Sequence, residues 1–126
     1  MNRTERVPSG IRLQQLIRSS HAEILGREKN NDKLIHLYNI GTYWVAFECS
    51  ACLLGRIFPK SEISLFRVAD RLDYVVMASV SSDEATAYFR KHIVYRDEAD
   101  YKVLVALPLP VGDYYRWHVD AVKSVL

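Results

Sequence analysis

Cys49 and Cys52 form a C-x-x-C pair, a spacing that could support redox or metal chemistry. Redox chemistry would need a thiol of lowered pKa at an exposed helix N-terminus, and a zinc site would need two further ligands. The four histidines are scattered without metal-ligand spacing, and both cysteines accompany the apolar stripe of a predicted helix. We therefore interpret them as small core residues and expect no metal and no cofactor.

Asp100 and Lys102 form a D-x-K pair at the start of the apolar run KVLVAL. Alternation along a strand places both on one face, as a metal-dependent nuclease of the PD-(D/E)xK type would require. That chemistry also needs an upstream carboxylate on a neighbouring strand, for which Asp73 and Asp83 are the candidates. Because polar residues are also ordinary at strand ends, a nuclease stays an alternative, and the main expectation is a non-catalytic protein.

Tyr43 and Trp44 follow a tight turn at Gly41. The pattern predicts a strand over residues 34–40 and a helix that begins at a Thr42 N-cap and ends before Pro59. Phe47, Ala51, Leu54 and Phe58 would form its apolar stripe. Aromatic rings at a helix start can stack on a base or wedge between base pairs, or they can fill the interface between helix and sheet.

Local signals predict the remaining elements. Apolar spacing predicts a first helix over residues 10–26, and two β-rich runs, 63–68 and 74–80, predict an antiparallel hairpin. Ser81 and Glu84 form a capping box for a helix that turns Ala85, Tyr88, Phe89 and Ile93 inward.

The apolar run 102–107 predicts a strand covered on both faces. Asp113 can cap a last helix that buries Tyr114, Trp117, Ala121, Val122 and Val125. The order α, β, α, β-hairpin, α, β, α predicts one α/β domain over residues 1–126, with a small mixed sheet flanked by helices.

The composition narrows the functional classes. The 126 residues are 49% hydrophobic and 25% charged, as in an ordinary globular domain, and the net charge of +2 does not by itself indicate nucleic acid. No apolar run is long enough to span a membrane, and the N-terminus lacks the apolar segment of a secretory signal. No GxxxxGK[ST] loop occurs. We expect a cytoplasmic protein with no membrane partner and no bound nucleotide.

Residues 11–107 resemble the N-terminal mismatch-recognition domain, domain I, of the MutS family of DNA mismatch repair proteins. The resemblance lies in three stretches and a following core strand: LQQLIRSSHAEI, LIHLYNIGTYWVAFECSACLLGRIF, VVMASVSSDEATAYFRKH and KVLVAL. It implies an α/β fold of the domain I type. It also implies that a ring after the Gly41 turn stacks on a mispaired base.

The sequence departs from the family at the recognition motif. In the family's Phe-X-Glu motif, the Phe stacks on the mispaired base and the Glu forms a hydrogen bond with that base. Aligned on Gly41, the Phe position is Tyr43, which keeps an aromatic face, and the Glu position is Val45, which cannot hydrogen bond. The Asp after the family's Gly is Thr42 here. The clamp, lever and ATPase of family members have no counterpart in these 126 residues.

Two functions stay open from the sequence. The first is a non-catalytic, stand-alone domain that binds double-stranded DNA weakly, because few phosphates are neutralised. Its base-contacting residues would be Tyr43 and Trp44. Its phosphate contacts would be drawn from Arg56, Arg67, Arg71, Arg90 and Lys91. The alternative is a protein-interaction module on the same scaffold, with buried rings at 43 and 44 and an exposed apolar patch elsewhere.

Overall fold

In the part of the chain that the structure describes, six strands form one central sheet, and four helices pack on its two faces. In this computed structural model, residues 8–69 and 71–126 are described. The N-terminal segment, for which no secretory signal is expected, begins with residues 1–7, and these lie outside the described residues. The elements are α1 (Ser9–Glu28), β1 (Leu34–Asn39), β2 (Tyr43–Phe47), α2 (Cys49–Ile57), β3 (Glu62–Phe66), β4 (Val75–Ser81), α3 (Ser82–Lys91), β5 (Arg96–Asp97), β6 (Tyr101–Val105) and α4 (Asp113–Val125).

The sheet has the strand order β3-β4-β2-β1-β6-β5. The predicted α/β class is confirmed, but all five strand pairings are antiparallel, where the sequence analysis expected a mixed sheet. Three of the pairs, β1–β2, β3–β4 and β5–β6, are joined directly by turns or short loops. Such connections require antiparallel pairing, since parallel strands need a longer crossover.

The sheet separates two apolar clusters. Ile24 of α1 packs with Val45 and Phe47 on one face, and the residues of α2, α3 and α4 pack with Trp44 and Ala46 on the other. Successive residues of β2 therefore alternate between the two clusters, as side chains along a strand must.

The predicted helix over residues 42–58 is wrong in its first third. Residues 43–47 form β2, and α2 begins only at Cys49. The run YWVAF is apolar on both faces, which suits a strand buried between two helical layers. Thr42 consequently caps no helix, and its hydroxyl hydrogen bonds to that of Ser9 at 2.8 Å. Phe47 packs with α1, away from Ala51 and Leu54.

Most of the other local predictions hold, but the run over residues 102–107 is not covered on both faces, because Val105 and Leu107 are exposed. β3 and β4 form the predicted antiparallel hairpin, and the Ser81 hydroxyl accepts a hydrogen bond from the Glu84 amide at 3.2 Å. The helices that the sequence predicts around residues 10–26 and near Asp113 are present as α1 and α4, but Asp113 is the first residue of α4 and not its cap, because the N-cap position is Gly112. Ile93 is a correction, because α3 ends at Lys91 and leaves its side chain 90% exposed; Val125 is also exposed.

A buried carboxylate joins α1 to the start of α2. Glu28 accepts hydrogen bonds from the Ser50 amide at 2.8 Å, from the Ser50 hydroxyl at 2.6 Å and from Asn31 Nδ2 at 3.2 Å. It thereby serves an otherwise unpaired amide in the first turn of α2. Burial nevertheless raises the pKa of Glu28 to about 7, because these hydrogen bonds offset only part of the desolvation of the charge.

Candidate functional sites

Tyr43 lies at the tip of the β1–β2 hairpin. Gly41 makes the turn with φ of +107°, a conformation that side chains rarely adopt, and the Gly41 amide donates to Asn39 Oδ1 at 2.8 Å. Ser82 fixes the tip from α3, since its hydroxyl donates to the Gly41 carbonyl at 2.7 Å and its amide donates to the Thr42 carbonyl at 2.9 Å. The Tyr43 ring is 42% exposed on this anchored tip.

Trp44 is not available to a partner, which corrects its assignment as a base-contacting residue. It is 5% exposed, its ring meets Phe89 edge-on at 5.5 Å between centroids, and the Lys102 ammonium lies 5.6 Å from the centroid. Because Tyr43 and Trp44 follow one another in a strand, they point to opposite faces of the sheet. The structure therefore presents one ring and buries the other.

The basic residues predicted to contact phosphates lie on different faces. Arg56 of α2 pairs with Asp113 of α4 at 3.4 Å and lines a cleft with Trp117. Arg67 lies beyond β3 and lines a groove against Ile17 of α1, on the opposite side of the sheet. These two side chains therefore do not form one continuous basic surface with Tyr43 that a single duplex could contact.

The remaining three predicted phosphate contacts are also apart. Arg71 reaches the buried Glu48 at 3.5 Å. Arg90 and Lys91 are exposed at the end of α3. Sequence spacing gave no means of seeing this dispersal, because Arg56 belongs to α2, Arg67 and Arg71 to the β3–β4 loop, and Arg90 and Lys91 to α3.

Arg12 is a cation at the hairpin tip that the sequence analysis missed. Its guanidinium donates to the Asn39 carbonyl at 3.1 Å, and it lies 3.6 Å from Asp100. A side chain at Gly41 would meet Arg12 Nη1 at 3.4 Å, which places this guanidinium against the turn. The two segments are far apart in the sequence, so only the packing of α1 on β2 brings them together.

The C-x-x-C pair lies in the core. Cys49 and Cys52 are both buried free thiols, as expected of small core residues. Burial raises the pKa of Cys49 to about 12 and that of Cys52 to about 11. Both thiols therefore stay protonated at neutral pH, although Cys49 begins a helix.

The D-x-K pair does not form the expected two-residue face. Asp100 precedes β6 and is turned to solvent beside Arg12, whereas Lys102 pairs with Asp97 across the β5–β6 hairpin and lies over Trp44 and Phe89. Within residues 8–69 and 71–126, no three His, Cys, Asp or Glu side chains are grouped so that they could hold a metal ion.

A buried acid–base cluster lies at the β2–α2 junction, where sequence reasoning expected the middle of a helix. Glu48 is 5% exposed and has φ of +53° and ψ of −121°, a strained conformation for a residue other than glycine. Such strain costs on the order of 1–3 kcal/mol. The carboxylate lies 3.3 Å from His118 Nε2 and 3.5 Å from Arg71.

Tyr114 of α4 completes this cluster. Burial raises the pKa of Tyr114, and the charge of Glu48 and a hydrogen bond to it raise that pKa further. Together with His118, Tyr114 fastens α4 to the end of β2. No signal in the sequence identifies this cluster, because its members come from distant segments.

No helix of the described residues is long and apolar enough to cross a membrane. No protein-family model, curated protein or solved structure matches the chain. The fold and the sites together define an α/β domain with an antiparallel six-stranded sheet, one exposed aromatic hairpin tip and one buried acid–base cluster.

Proposed function

We propose that this chain is a non-catalytic DNA-binding domain, divergent from the mismatch-recognition domain of MutS, in which Tyr43 stacks on a base. The observation that carries the proposal is the Tyr43 ring, 42% exposed on a hairpin tip that Gly41 and Ser82 hold in place. The resemblance of the sequence to the MutS mismatch-recognition domain predicts the stacking ring at this position, directly after the Gly41 turn. A rigid tip loses little conformational entropy when its ring stacks.

Recognition would rest on stacking alone. Val45, at the position of the family's Glu, is fully buried and apolar, so it offers no hydrogen bond to a base. Base–aromatic stacking contributes about 1–3 kcal/mol per base and tolerates any sequence. Because an unpaired or mispaired base is easier to unstack, the domain would prefer such bases through their low cost of extrusion.

Affinity would be modest and dependent on salt. Arg12 is placed against the tip, but it is already paired with Asp100. A small number of neutralised phosphates gives a small electrostatic contribution and a shallow salt slope. We therefore expect dissociation constants in the micromolar range at low salt, which is the order of magnitude typical of non-specific binding to DNA phosphates.

Fluorescence anisotropy with labelled matched, mismatched and single-base-bulge duplexes tests this proposal. Tyr43→Phe keeps the ring and should bind as the wild type does, whereas Tyr43→Ala should lose about tenfold or more in affinity. Tyr95→Ala is a matched control, because Tyr95 is a tyrosine that is 72% exposed at another edge of the sheet. Equal binding by Tyr43→Ala and Tyr95→Ala, or no binding at low salt, would refute the proposal.

A second candidate function, protein interaction, is favoured by the exposed edge of β6. β5 pairs only with Lys102 and Val103, so among the described residues no strand lies beside the rest of β6 on that edge. Tyr95 and Val105 are exposed there and line a groove of about 510 Å³ with Lys91 and His92. An extended, apolar peptide segment with acidic flanks fits this edge by strand addition and by charge.

Selection from a random peptide library tests this second candidate. If the edge of β6 binds a peptide, the selected sequences should alternate apolar and other residues and be flanked by Asp or Glu. Their binding should be lost in Val105→Glu and retained in Tyr43→Ala. Selection of sequences without that pattern, or binding that Val105→Glu leaves unchanged, would contradict it.

A further inference from the structure

The turn at Glu48 holds a charged side chain in a fixed position. The Glu48 amide donates to the Val76 carbonyl at 2.8 Å, and the Glu48 carbonyl accepts from the Cys52 amide at 3.0 Å. The Val76 amide in turn donates to Glu48 Oε2 at 3.3 Å. The backbone is thus anchored on both sides of the strained residue, and strained positions that their surroundings fix so firmly are concentrated at functional sites.

His118 faces this carboxylate with a defined tautomer. Its Nε2 lies 3.1 Å from the Tyr74 carbonyl oxygen and 3.3 Å from Glu48 Oε2. Both neighbours are acceptors, so Nε2 must carry the proton. In the neutral ring Nδ1 is therefore an acceptor. This is the arrangement in which a carboxylate orients an imidazole for use at its other nitrogen.

Nδ1 of His118 is not completely buried, although the residue as a whole is only 8% exposed. No described group hydrogen bonds to it, whereas in the described part of the chain no side-chain nitrogen or oxygen is both fully buried and unpartnered. His118 lines a cavity of about 420 Å³ between α4 and the loop that precedes β4. His118 therefore forms part of the wall of a space large enough for a small molecule.

The same cavity carries two cations. Arg71 and Lys123 line it together with Tyr115 and Asp73. Lys123 is exposed and Arg71 is half exposed, so both can turn toward a ligand. The carboxylates at the cavity are the buried Glu48, with which Arg71 is paired, and the exposed Asp73. An arginine and a lysine at one rim are suited to a carboxylate or phosphate group.

From these observations we infer that the cavity is a binding site for a small organic anion that also carries a hydroxyl group. Arg71 and Lys123 bind the anionic group, and His118 Nδ1 accepts the hydrogen bond of the hydroxyl. Glu48 is a positioning residue, because it holds the imidazole in the required tautomer. The site does not depend on DNA binding: Glu48 follows the far end of β2 from Tyr43, about 16 Å away at the usual rise of a strand.

Nuclear magnetic resonance of the ¹⁵N-labelled protein tests the inference directly. In the free protein, the imidazole of His118 should show the pattern of an Nε2-protonated ring with an unprotonated Nδ1. Titration with glycolate, a hydroxycarboxylate, should shift Nδ1 and the amides of residues 118–123 in a saturable manner. Acetate, which has no hydroxyl group, should bind more weakly. Glycerol 3-phosphate distinguishes a phosphate ligand from a carboxylate ligand.

Lys123→Gln supplies the variant, because it lies at the surface and leaves the core unchanged. It should weaken binding of the preferred probe by about tenfold, the fold-change expected for one charge-assisted hydrogen bond. Lys60→Gln is the matched control at an exposed turn and should bind as the wild type does. Three results would overturn the inference. The free protein could show a ring protonated at Nδ1, the shifts could saturate with neither glycolate nor glycerol 3-phosphate, or the two variants could bind the preferred probe with equal affinity.

Discussion

Replacing Glu28 with Gln should change how the stability of this protein depends on pH. The carboxyl group is 7% exposed, and its pKa is raised from 4.5 to about 7. Below pH 4.5 it is protonated in both the folded and the unfolded state. Between pH 4.5 and 7 the unfolded chain ionises first, so the free energy of unfolding of the wild type falls as the pH rises.

The pKa difference sets the size of this effect. A change from 4.5 to about 7 corresponds to a loss of about 3 kcal/mol across that window. Glu28→Gln has no proton to lose, and its amide can keep an acceptor for the Ser50 amide and a donor for the Ser50 hydroxyl. Relative to the wild type, the variant should therefore gain about 3 kcal/mol in stability between pH 4.5 and 7.5.

Urea unfolding followed by tryptophan fluorescence, at half-unit steps of pH, measures this difference. His36 titrates in the opposite sense, because burial and the nearby Arg27 lower its pKa to about 4, and stability falls as the pH drops from 6.5 toward 4. Its contribution is the same in both proteins, so subtraction isolates Glu28. A difference that stays constant from pH 4.5 to 7.5 would refute the reasoning, because Glu28 would then ionise as easily in the folded state as in the unfolded one.

Two further predictions concern thiol chemistry and helix capping. Cys49 and Cys52 should react with iodoacetamide at pH 8 only as fast as the protein unfolds, because burial raises the pKa of each thiol to about 11–12. Modification faster than the unfolding rate measured under the same conditions would contradict this prediction. Ser81→Ala should lower the free energy of unfolding by about 1 kcal/mol in urea, since the Glu84 amide loses its acceptor. Ser124→Ala is the control, because its hydroxyl donates to a carbonyl within its own helix, and an equal loss in both variants would argue against a capping role.

Elements with local signals could be predicted from the sequence. The capping box at Ser81 depends on residues three apart, and the β3–β4 hairpin depends on two β-rich runs joined by a polar loop. Both are decided within one short segment, residues 81–84 for the box and 62–81 for the hairpin, so tertiary packing had little to change. The same holds for α1 and α4, whose apolar spacing is helical over several turns.

The segment that follows Gly41 could not be predicted correctly from its pattern. Phe47, Ala51 and Leu54 recur at helical spacing, but Phe47 belongs to a strand and the other two to the helix that follows it directly. A short apolar run suits either a strand or a buried helix, and its β-rich composition was the only local signal for the strand. The strained turn at Glu48 allows this abrupt change, and nothing in the sequence reveals a positive φ at a glutamate.

The candidate sites depend on contacts between distant segments. His118 meets Glu48 only because α4 returns across the sheet, and Arg12 meets the hairpin tip only because α1 packs on β2. The position of Tyr43 directly after a turn could be predicted from the sequence, since the turn at Gly41 is local. The sequence left open whether Trp44 contacts a base beside Tyr43 or is buried with it, because a helix start does not turn two successive rings to opposite sides as a strand does.

Whether Tyr43 stacks on a base can be observed directly by fluorescence. A duplex with 2-aminopurine at a mispaired position reports stacking through its fluorescence, which changes when the base leaves the duplex and meets a protein ring. If Tyr43 stacks on the base, the fluorescence should change in a saturable manner with the wild type and with Tyr43→Phe, and should not change with Tyr43→Ala at a concentration at which anisotropy shows bound DNA. The same change with Tyr43→Ala, or bound DNA without any change in the wild type, would contradict it.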